Sequence, residues 1–404
     1  MRTKIAFLMI PLFLFFSCTG REPPVNLRPF DNDEETAAYV AVREAEIAKI
    51  AAMQTRAANI AASLDDRRLA AQVLICGVDS RGTLSQAMRT LLTECPAGAI
   101  MFFRFNLNTS NDEIRDFLAE IADLVTNKSG IPPFMAVDHE GGEVNRFRPG
   151  VATLPSAFSY WELAEAEGWE AALERVGKDS FEAGRQINAL GFNMNFAPVA
   201  EFLNEENIAF LRTRSYGPDP VFTANAASAF ARGMEEAGVL PVVKHFPGNA
   251  GIDPHYHISV MYGDRAALDE QVAPFAQLVN EGARAIMVAH SLVPAVDSEI
   301  ASLSSVIMND WLRRDLGFTG IIVSDCFAMA AANPSGGHFT IEEAAISSLA
   351  AGADMVMVWP RDIRRTHMAI IAALENERLC RQRLQEAASS IIFEKIRMGM
   401  INEE

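Results

Sequence analysis

Cysteine is scarce in this sequence, with five residues in 404. They are Cys18, Cys76, Cys95, Cys326 and Cys380, and no two of them have C-x-x-C spacing. Disulfide scaffolds have a much higher cysteine density, and zinc-cysteine sites use closely paired cysteines. We therefore expect neither a disulfide framework nor a metal site built on cysteine.

Positive charge is also in deficit, because the formal net charge is −17. A chain this acidic repels phosphate backbones, so we expect no nucleic-acid partner. No G-x-G-x-x-G motif follows an apolar strand, which argues against a dinucleotide-binding fold. The pair Gly141-Gly142 predicts a turn rather than a phosphate-binding loop. We expect no cofactor and no metal.

The apolar run at the N-terminus, residues 5–16, is too short to span a bilayer as a stable helix. Two basic residues precede it and Ser17-Cys18 follows it, a pattern typical of a secretory signal that also resembles a bacterial lipobox. We expect a signal peptide over 1–17, lipidation of Cys18, and a protein exported and anchored by lipid to the bacterial cell envelope. Ordinary secretion with an incidental cysteine is the alternative.

The remaining chain is predicted to contain three parts. Residues 18–30 include three prolines and predict a tether. Residues 31–63 are rich in Ala and Glu, with apolar residues at roughly helical spacing, and predict a helical extension. Residues 64–404 show no break in composition and are long enough to bury a large core, so we expect a single catalytic domain there.

Short apolar runs alternate with helical patterns through that domain. The predicted strands are Gln72–Val78, Gly98–Phe103, Pro133–Asp138, Phe192–Val199, Leu240–His245, Ala283–His290, Gly320–Asp325 and Asp354–Trp359. The predicted helices include Asn111–Thr126, Ala171–Ala189, Val221–Ala237, Leu268–Asn280, Ser304–Asp315 and Ile341–Ala351. Continuously apolar strands that are each followed by a helix are typical of a parallel sheet covered by helices. About eight such units favour an α/β fold of the (β/α)₈ barrel type.

Polar residues stand where these strands end. Lys244-His245 end one strand and lead into a loop that contains Asp253 and His255. An Asp two residues before a His in a loop can accept the imidazole N–H and hold the ring in one tautomer. Asp138, Glu140, His290, Asp325 and Trp359 stand at or just beyond the ends of other strands. Because the carboxyl ends of barrel strands surround one mouth, we expect an active site there.

Four motifs in this chain resemble the bacterial β-N-acetylglucosaminidases of glycoside hydrolase family 3, over about residues 63–398. They are Ala136-Val-Asp-His-Glu-Gly-Gly-Glu-Val-Asn-Arg-Phe-Arg148, Arg214-Ser-Tyr-Gly217, Lys244-His-Phe-Pro-Gly248 with Asp253-Pro-His255, and Val323-Ser-Asp-Cys-Phe-Ala-Met329. The resemblance implies a (β/α)₈ barrel and a retaining exo-β-N-acetylglucosaminidase that acts on peptidoglycan fragments or chitooligosaccharides.

The resemblance also implies roles for individual residues. Asp325 matches the nucleophile, His255 the general acid/base, and Asp253 the group that assists His255. The residues that match those holding the N-acetylglucosamine ring are Asp138, Arg146, Arg214, Lys244 and His245. We expect a carbohydrate substrate and a monomer. Glu140, although a carboxylate near a strand end, matches a position that we interpret as structural.

The sequence departs from the family pattern around the acid/base. Asn249-Ala250 replace the usual His-Gly, the loop is about two residues shorter, and Pro254 stands between the dyad members, where it restricts Asp253 to extended backbone. His139 stands where Gln is usual, and Cys326 stands where a second Asp is common. We interpret Cys326 as a small buried thiol and leave His290 open between lining the pocket and satisfying a strand end.

Three alternative functions stay open. A histidine acid/base does not repel an incoming phosphate anion, so the glycosyl group could pass to phosphate instead of water. The altered loop could mark a non-catalytic sugar-binding lipoprotein. His255 and His257 could form a metal-binding pair of a metal-dependent amidohydrolase.

Overall fold

The computed structural model of this protein describes residues 33–251, 253, 256–329 and 340–402. Within these residues all the strands are parallel and belong to one sheet. They are β1 (Leu74–Gly77), β2 (Ala99–Phe102), β3 (Phe134–Val137), β4 (Met194–Asn195), β5 (Leu240–Pro241), β6 (Val243–Phe246), β7 (Ala285–Val288), β8 (Ile321–Cys326) and β9 (Met355–Val358). Their order is β5-β4-β3-β2-β1-β9-β8-β7-β6.

The first and last strands of this order close the sheet into a barrel. β5 and β6 are separated only by Val242, whose N–H donates to the Asn195 carbonyl at 2.8 Å. β5 pairs with β4, and β6 pairs with β7. The segment formed by β5 and β6 therefore occupies the place of one strand, and the eight strands predicted from the apolar runs correspond to the eight positions around the barrel. The prediction of a (β/α)₈ barrel is confirmed.

Most of the observed strands are shorter than the predicted ones. The predicted strand over residues 192–199 becomes the two-residue β4, although an isolated bridge joins Val199 to Lys244 further along. Pro198 has no N–H to donate, so the regular ladder is interrupted near it. The apolar run identified the strand, but the ladder depends on backbone donors that hydropathy does not report.

Helices surround the barrel and begin at recognisable capping residues. Ser110 and Glu113 form a capping box at the start of α4, and Asp219 caps α8 ahead of a proline. The helices are α1 (Asp33–Ser63), α2 (Asp66–Gln72), α3 (Gln86–Glu94), α4 (Asn111–Ser129), α5 (Ala157–Glu167), α6 (Trp169–Ala189), α7 (Ile208–Leu211), α8 (Pro220–Glu236), α9 (Arg265–Asn280), α10 (Ile341–Ala351), α11 (Pro360–Glu375) and α12 (Arg381–Arg397). Short 3₁₀ turns lie at Arg212–Arg214 and Ala301–Leu303, and a π-helix covers Val306–Asp315.

The core fills the space between the strands and the helices. Phe246 of β6 makes edge contacts with Phe275 of α9 and with Trp311 of the π-helix, each at a ring-centroid distance of 5.5 Å. All three rings are buried. Edge-to-face packing of this kind anchors the strand that carries Lys244 and His245.

Helix α1 lies where the sequence predicts the helical extension. Ala57 and Ala61 near its C-terminus are buried, and Arg56 donates to the carbonyl of Asn402 at 2.5 Å. The predicted signal peptide, Cys18 and the tether lie outside the described residues. In the part of the chain that the structure describes, no helix combines the length and the apolar character that a membrane crossing requires.

Helices α6 and α8 approach each other through small residues, and this contact predicts opposite effects for two glycines. A Cβ on Gly233 would overlap Ser180 Oγ and lie 2.7 Å from the Gly177 carbonyl oxygen, whereas a Cβ on Gly177 would meet only one atom, at 3.9 Å. We expect Gly233→Ala to lower the free energy of unfolding by about 1–3 kcal/mol through overpacking. Gly177→Ala should raise it by up to about 1 kcal/mol, because alanine favours a helix interior.

Urea denaturation of both variants beside the wild type measures these changes. Equal free energies of unfolding for the two variants would contradict the packing described for α6 and α8.

Candidate active site

A buried lysine joins two carboxylates at the end of β3. Lys244 of β6 contacts Asp138 and also lies 2.6 Å from Glu140 Oε1 through its Nζ. Arg146 donates from Nη2 to Asp138 Oδ2 at 2.6 Å. The structure thus brings together Asp138, Arg146 and Lys244, three of the residues that the resemblance assigns to substrate binding.

Arg214 completes this charge network through Glu140. Its Nε and Nη2 donate to the two oxygens of Glu140, each at 2.8 Å, which is the bidentate geometry of a strong Arg–carboxylate pair. The side chain of Glu140 is only 4% exposed. Glu140 contacts both Lys244 and Arg214, and its interpretation as a structural residue stays a prediction.

The cations keep both carboxylates ionised. Burial by itself raises the pKa of Asp138, but Lys244 and Arg146 outweigh it and hold that pKa below its usual value. Burial likewise raises the pKa of Glu140, and Arg214 and Lys244 outweigh it by more, so its pKa lies far below the usual range. The network thus pairs two carboxylates with three cationic side chains.

A glycine turn returns the chain to Asp138 so that Arg146 can reach it. Gly141 and Gly142 have φ values of 97° and 54°, in the left-handed region that favours glycine. A Cβ on Gly141 would overlap the carbonyl oxygen of Pro155. The predicted turn is therefore observed. Nε of Arg146 is buried and has no hydrogen-bond partner within the described residues.

Glu201 organises the end of β6, and the sequence analysis missed it. Glu201 Oε1 lies 2.6 Å from His245 Nδ1 and also accepts the His245 backbone N–H at 3.2 Å. Its Oε2 accepts the Asn249 backbone N–H at 2.6 Å. The carboxylate thus holds the imidazole ring and the backbone of His245 in one position. Glu201 stands two residues beyond the predicted strand 192–199, so the strand-end rule that found Asp138 could have found it.

Asp325 lies near the end of β8 with a half-buried side chain, and its Oδ1 accepts the Cys326 backbone N–H at 2.7 Å. Desolvation raises the pKa of the Cys326 thiol to about 12, so this thiol stays protonated, although its side chain is half-buried rather than buried as we expected. His290 lies within hydrogen-bond distance of Ser302 Oγ (2.7 Å) and of the Cys326 carbonyl oxygen (3.1 Å). Of the two interpretations left open for His290, its contact with the strand end is observed.

The predicted acid/base dyad is only partly described. Asp253 is half-buried, and its carbonyl oxygen accepts the backbone N–H groups of Tyr256 and His257 at 3.0 and 3.1 Å. His255 and Pro254 lie outside the described residues, so the dyad remains a prediction.

His139, which stands beside Asp138, has a local backbone partner. His139 is buried, and its Nε2 lies 2.6 Å from the carbonyl oxygen of Ala152. Burial lowers the pKa of His139 to about 4, which keeps the ring neutral. Within the described ranges, no three His, Cys, Asp or Glu side chains are grouped so that they could hold a metal ion.

Comparison with known proteins gives one family. The model of the glycosyl hydrolase family 3 N-terminal domain matches residues 50–393. A β-hexosaminidase of Neisseria gonorrhoeae is 33% identical over 282 residues, which cover 69% of this chain and 75% of that protein. A β-hexosaminidase of Methylococcus capsulatus is 34% identical over 297 residues, which cover 72% of this chain and 84% of that protein.

Solved structures are similar as well. A family 3 β-N-acetylglucosaminidase from Paenibacillus sp. aligns with a TM-score of 0.78 and 29% identity over 85% of this chain. The alignment spans 64% of that longer protein. NagZ from Neisseria gonorrhoeae, in complex with N-trifluoroacetyl-D-glucosamine, aligns with a TM-score of 0.66 and 29% identity over 79% of this chain and 89% of its own.

The charge network predicts how stability depends on pH. The folded pKa of Glu140 is lowered, so its stabilising contribution is complete above the usual glutamate pKa of about 4.3 and is lost as the pH falls towards the folded value. Glu140→Gln removes the carboxylate that Lys244 and Arg214 share. It should lower the free energy of unfolding at pH 7 by roughly 3–5 kcal/mol.

Urea denaturation at pH 7, 5 and 3 measures this difference, which should shrink at pH 3 because Glu140 takes up a proton in the unfolded wild type while it is still ionised in the folded protein. Glu143→Gln is the matched control: its pair with Arg212 is exposed, and its loss should cost no more than about 1 kcal/mol. A Glu140→Gln deficit that stays constant down to pH 3 would refute the assignment of the lowered pKa.

Proposed function

Because the chain belongs to glycosyl hydrolase family 3 and is a β-N-acetylglucosaminidase, we propose that it removes non-reducing terminal β-linked N-acetylglucosamine with retention of configuration. The proposed substrates are peptidoglycan fragments or short chitooligosaccharides. The N. gonorrhoeae neighbour was solved with an N-acylglucosamine bound, which supports N-acetylglucosamine as the sugar recognised.

The charge network around Lys244 is the observation that carries this proposal. Asp138, Lys244, Glu140, Arg214 and Arg146 form one connected set of ionised groups at the carboxyl end of the barrel. Ionised donors and acceptors in fixed positions bind hydroxyl groups strongly because charge-assisted hydrogen bonds are about twice as strong as neutral ones.

Two buried atoms at this site lack hydrogen-bond partners within the described residues. They are the donor Nε of Arg146 and the acceptor Oδ1 of Asn249. Buried polar atoms are normally paired, so atoms such as these fit a ligand that supplies both an oxygen and a hydroxyl or amide proton. A sugar ring with an N-acetyl group has both.

The proposed reaction uses Asp325 and His255. The carboxylate of Asp325 attacks the anomeric carbon while His255 donates a proton to the leaving oxygen, which gives a covalent glycosyl-enzyme. His255 then removes a proton from water, which attacks the same carbon and releases Asp325. Asp253 holds the imidazole and favours its protonated form. Asp325 lies next to the last residue of β8, and the backbone N–H of Cys326 holds one of its two carboxylate oxygens, Oδ1.

The proposed location is the bacterial cell envelope, with a lipid anchor on Cys18 after removal of residues 1–17. The basic start, the apolar run and the small residue before the cysteine support it.

Catalytic variants test the reaction. Hydrolysis of 4-nitrophenyl N-acetyl-β-glucosaminide should fall to background in Asp325→Ala, which lacks the nucleophile. In His255→Ala, kcat/KM should fall by about 10²–10⁴, the usual contribution of general acid–base catalysis. His257→Ala is the matched control, because its exposed imidazole lies two residues from His255, and it should retain wild-type kcat/KM.

Three outcomes would point to the alternatives. A folded wild type that binds N-acetylglucosamine without turnover would support the sugar-binding lipoprotein. A sugar 1-phosphate among the products in phosphate buffer would support phosphorolysis. Loss of activity in EDTA together with loss in His257→Ala would support the metal-dependent reaction.

The lipid anchor has its own test. In a bacterium that processes lipoproteins, the full-length chain should incorporate labelled palmitate and sediment with membranes, and Cys18→Ser should do neither. Cys380→Ser, which removes an exposed cysteine of the barrel domain, should behave as wild type. A Cys18→Ser protein that still carries the label would sink the proposal.

A further inference from the structure

The proposed nucleophile, Asp325, stands on an irregular part of β8. Val323 pairs with Met355 of β9. Three residues later, Cys326 pairs with Met357, which is only two residues further along β9. An extra residue of this kind bends the strand and re-aims a side chain. Asp325 lies inside the irregular stretch, so the direction of its carboxylate depends on the contacts that hold this stretch.

The backbone of Cys326 fixes one oxygen of that carboxylate. Its N–H donates to Asp325 Oδ1 at 2.7 Å. A shift of the Cys326 backbone would therefore turn the carboxylate as well. Direction matters for this group, because a nucleophile reacts fast only when it is held close to the line of attack.

His290, two residues beyond the end of β7, contacts the same residue from the neighbouring strand. Its Nε2 lies 3.1 Å from the Cys326 carbonyl oxygen. A carbonyl oxygen can only accept, so Nε2 carries the proton of this hydrogen bond. Ser302 Oγ lies 2.7 Å from Nδ1 and holds the other side of the ring. His290 and Ser302 are both buried, so bulk water does not compete for these contacts.

The other contacts of this stretch come from nearby backbone. The Met329 N–H, in the turn after β8, donates to the Cys326 carbonyl at 3.0 Å. Ser324 Oγ accepts the Met357 N–H of β9 at 3.3 Å. The ring of Phe327 packs against His290 at a centroid distance of 5.2 Å. The imidazole thus adds a side-chain contact that ties the irregular end of β8 to the segment after β7.

We propose that His290 is a positioning residue for the nucleophile and acts through the backbone of Cys326, while Ser302 holds the imidazole. This inference rests on the proposed function, in which Asp325 attacks the anomeric carbon. In this role His290 exchanges no proton with the substrate. It affects the rate of attack and leaves the affinity for the sugar unchanged, because the charge network around Lys244 holds the sugar.

A fluorinated sugar measures the attack by Asp325 directly. The probe is N-acetyl-β-glucosaminyl fluoride with a second fluorine at C5. Attack forms a bond between the Asp325 carboxylate and C1, while the C1–F bond breaks and fluoride leaves with the electron pair. Fluoride needs no proton from His255, and the fluorine at C5 slows release of the bound sugar. Intact-protein mass spectrometry therefore reports the attack alone, and Asp325→Ala should carry no label.

Two substitutions of His290 separate the hydrogen bond from the volume of the ring. His290→Leu fills the space without a donor and should lower the labelling rate by roughly 10–100-fold, since a misplacement of about 1 Å can cost about 100-fold. His290→Gln keeps an N–H donor and should recover most of that rate. Titration calorimetry with N-acetylglucosamine should give the wild-type affinity for both variants.

His367→Leu is the matched control for the loss of a buried imidazole. His367 of α11 is also buried, and its Nε2 lies 2.8 Å from the carbonyl oxygen of Arg67 in α2, the helix that leads into the amino end of β1. His367→Leu should lower the midpoint of urea denaturation much as His290→Leu does. Its labelling rate should equal that of the wild type.

Ser302→Ala tests the same chain of contacts with a smaller change. It should slow labelling less than His290→Leu does, because the imidazole keeps its contact with Cys326. In the double variant it should add nothing to the loss caused by His290→Leu, since the hydroxyl acts only through the ring. Losses that multiply would show that the two residues act independently, which contradicts the inference.

The results distinguish this inference from the proposed function. Labelling of folded His290→Leu at the wild-type rate overturns the inference and leaves the proposed reaction intact. So does a loss that His367→Leu shares or that is accompanied by an equal loss of affinity for N-acetylglucosamine. A wild type that neither labels at Asp325 nor hydrolyses the aryl glycoside overturns both.

Discussion

Lys244 is a buried cation that contacts two buried carboxylates, and the arrangement of the site depends on it. An isolated ammonium in this position would be strongly disfavoured, since transferring a charge out of water costs several kcal/mol even after relaxation. Asp138 and Glu140 offset that cost, and Arg146 and Arg214 in turn balance the carboxylates. Each charge is stable there only because the others are present, so the five side chains behave as one unit.

The same segment closes the barrel and carries this unit. β5 pairs with β4 on one side, and β6 pairs with β7 on the other, while Lys244 and His245 stand within β6. The backbone N–H of Lys244 donates to the Pro198 carbonyl, and the Lys244 carbonyl accepts the Ala200 N–H. Glu201, on that neighbouring segment, then holds both His245 and Asn249. A change that loosened the barrel seam would displace Lys244 and His245, because both stand within β6.

The sequence by itself determined the fold class and placed the candidate site residues at strand ends. Apolar runs repeated with helical segments are enough to predict a parallel barrel, since strands buried on both faces have few other solutions. The polar ends of those strands identified Asp138, Lys244, His245 and Asp325, and motif resemblance added Arg146 and Arg214. These signals are local, so they are readable in the chain without coordinates.

Only the tertiary structure decided which of these residues contact one another. Lys244 and Asp138 are 106 residues apart, and nothing in either stretch specifies the other as its partner. Glu201 stands just beyond a predicted strand end, but its contacts with His245 and Asn249 join separate segments of the chain, and the sequence does not specify them. Pairing between distant residues is set by strand order and barrel closure, and the hydropathy of a segment carries no record of them.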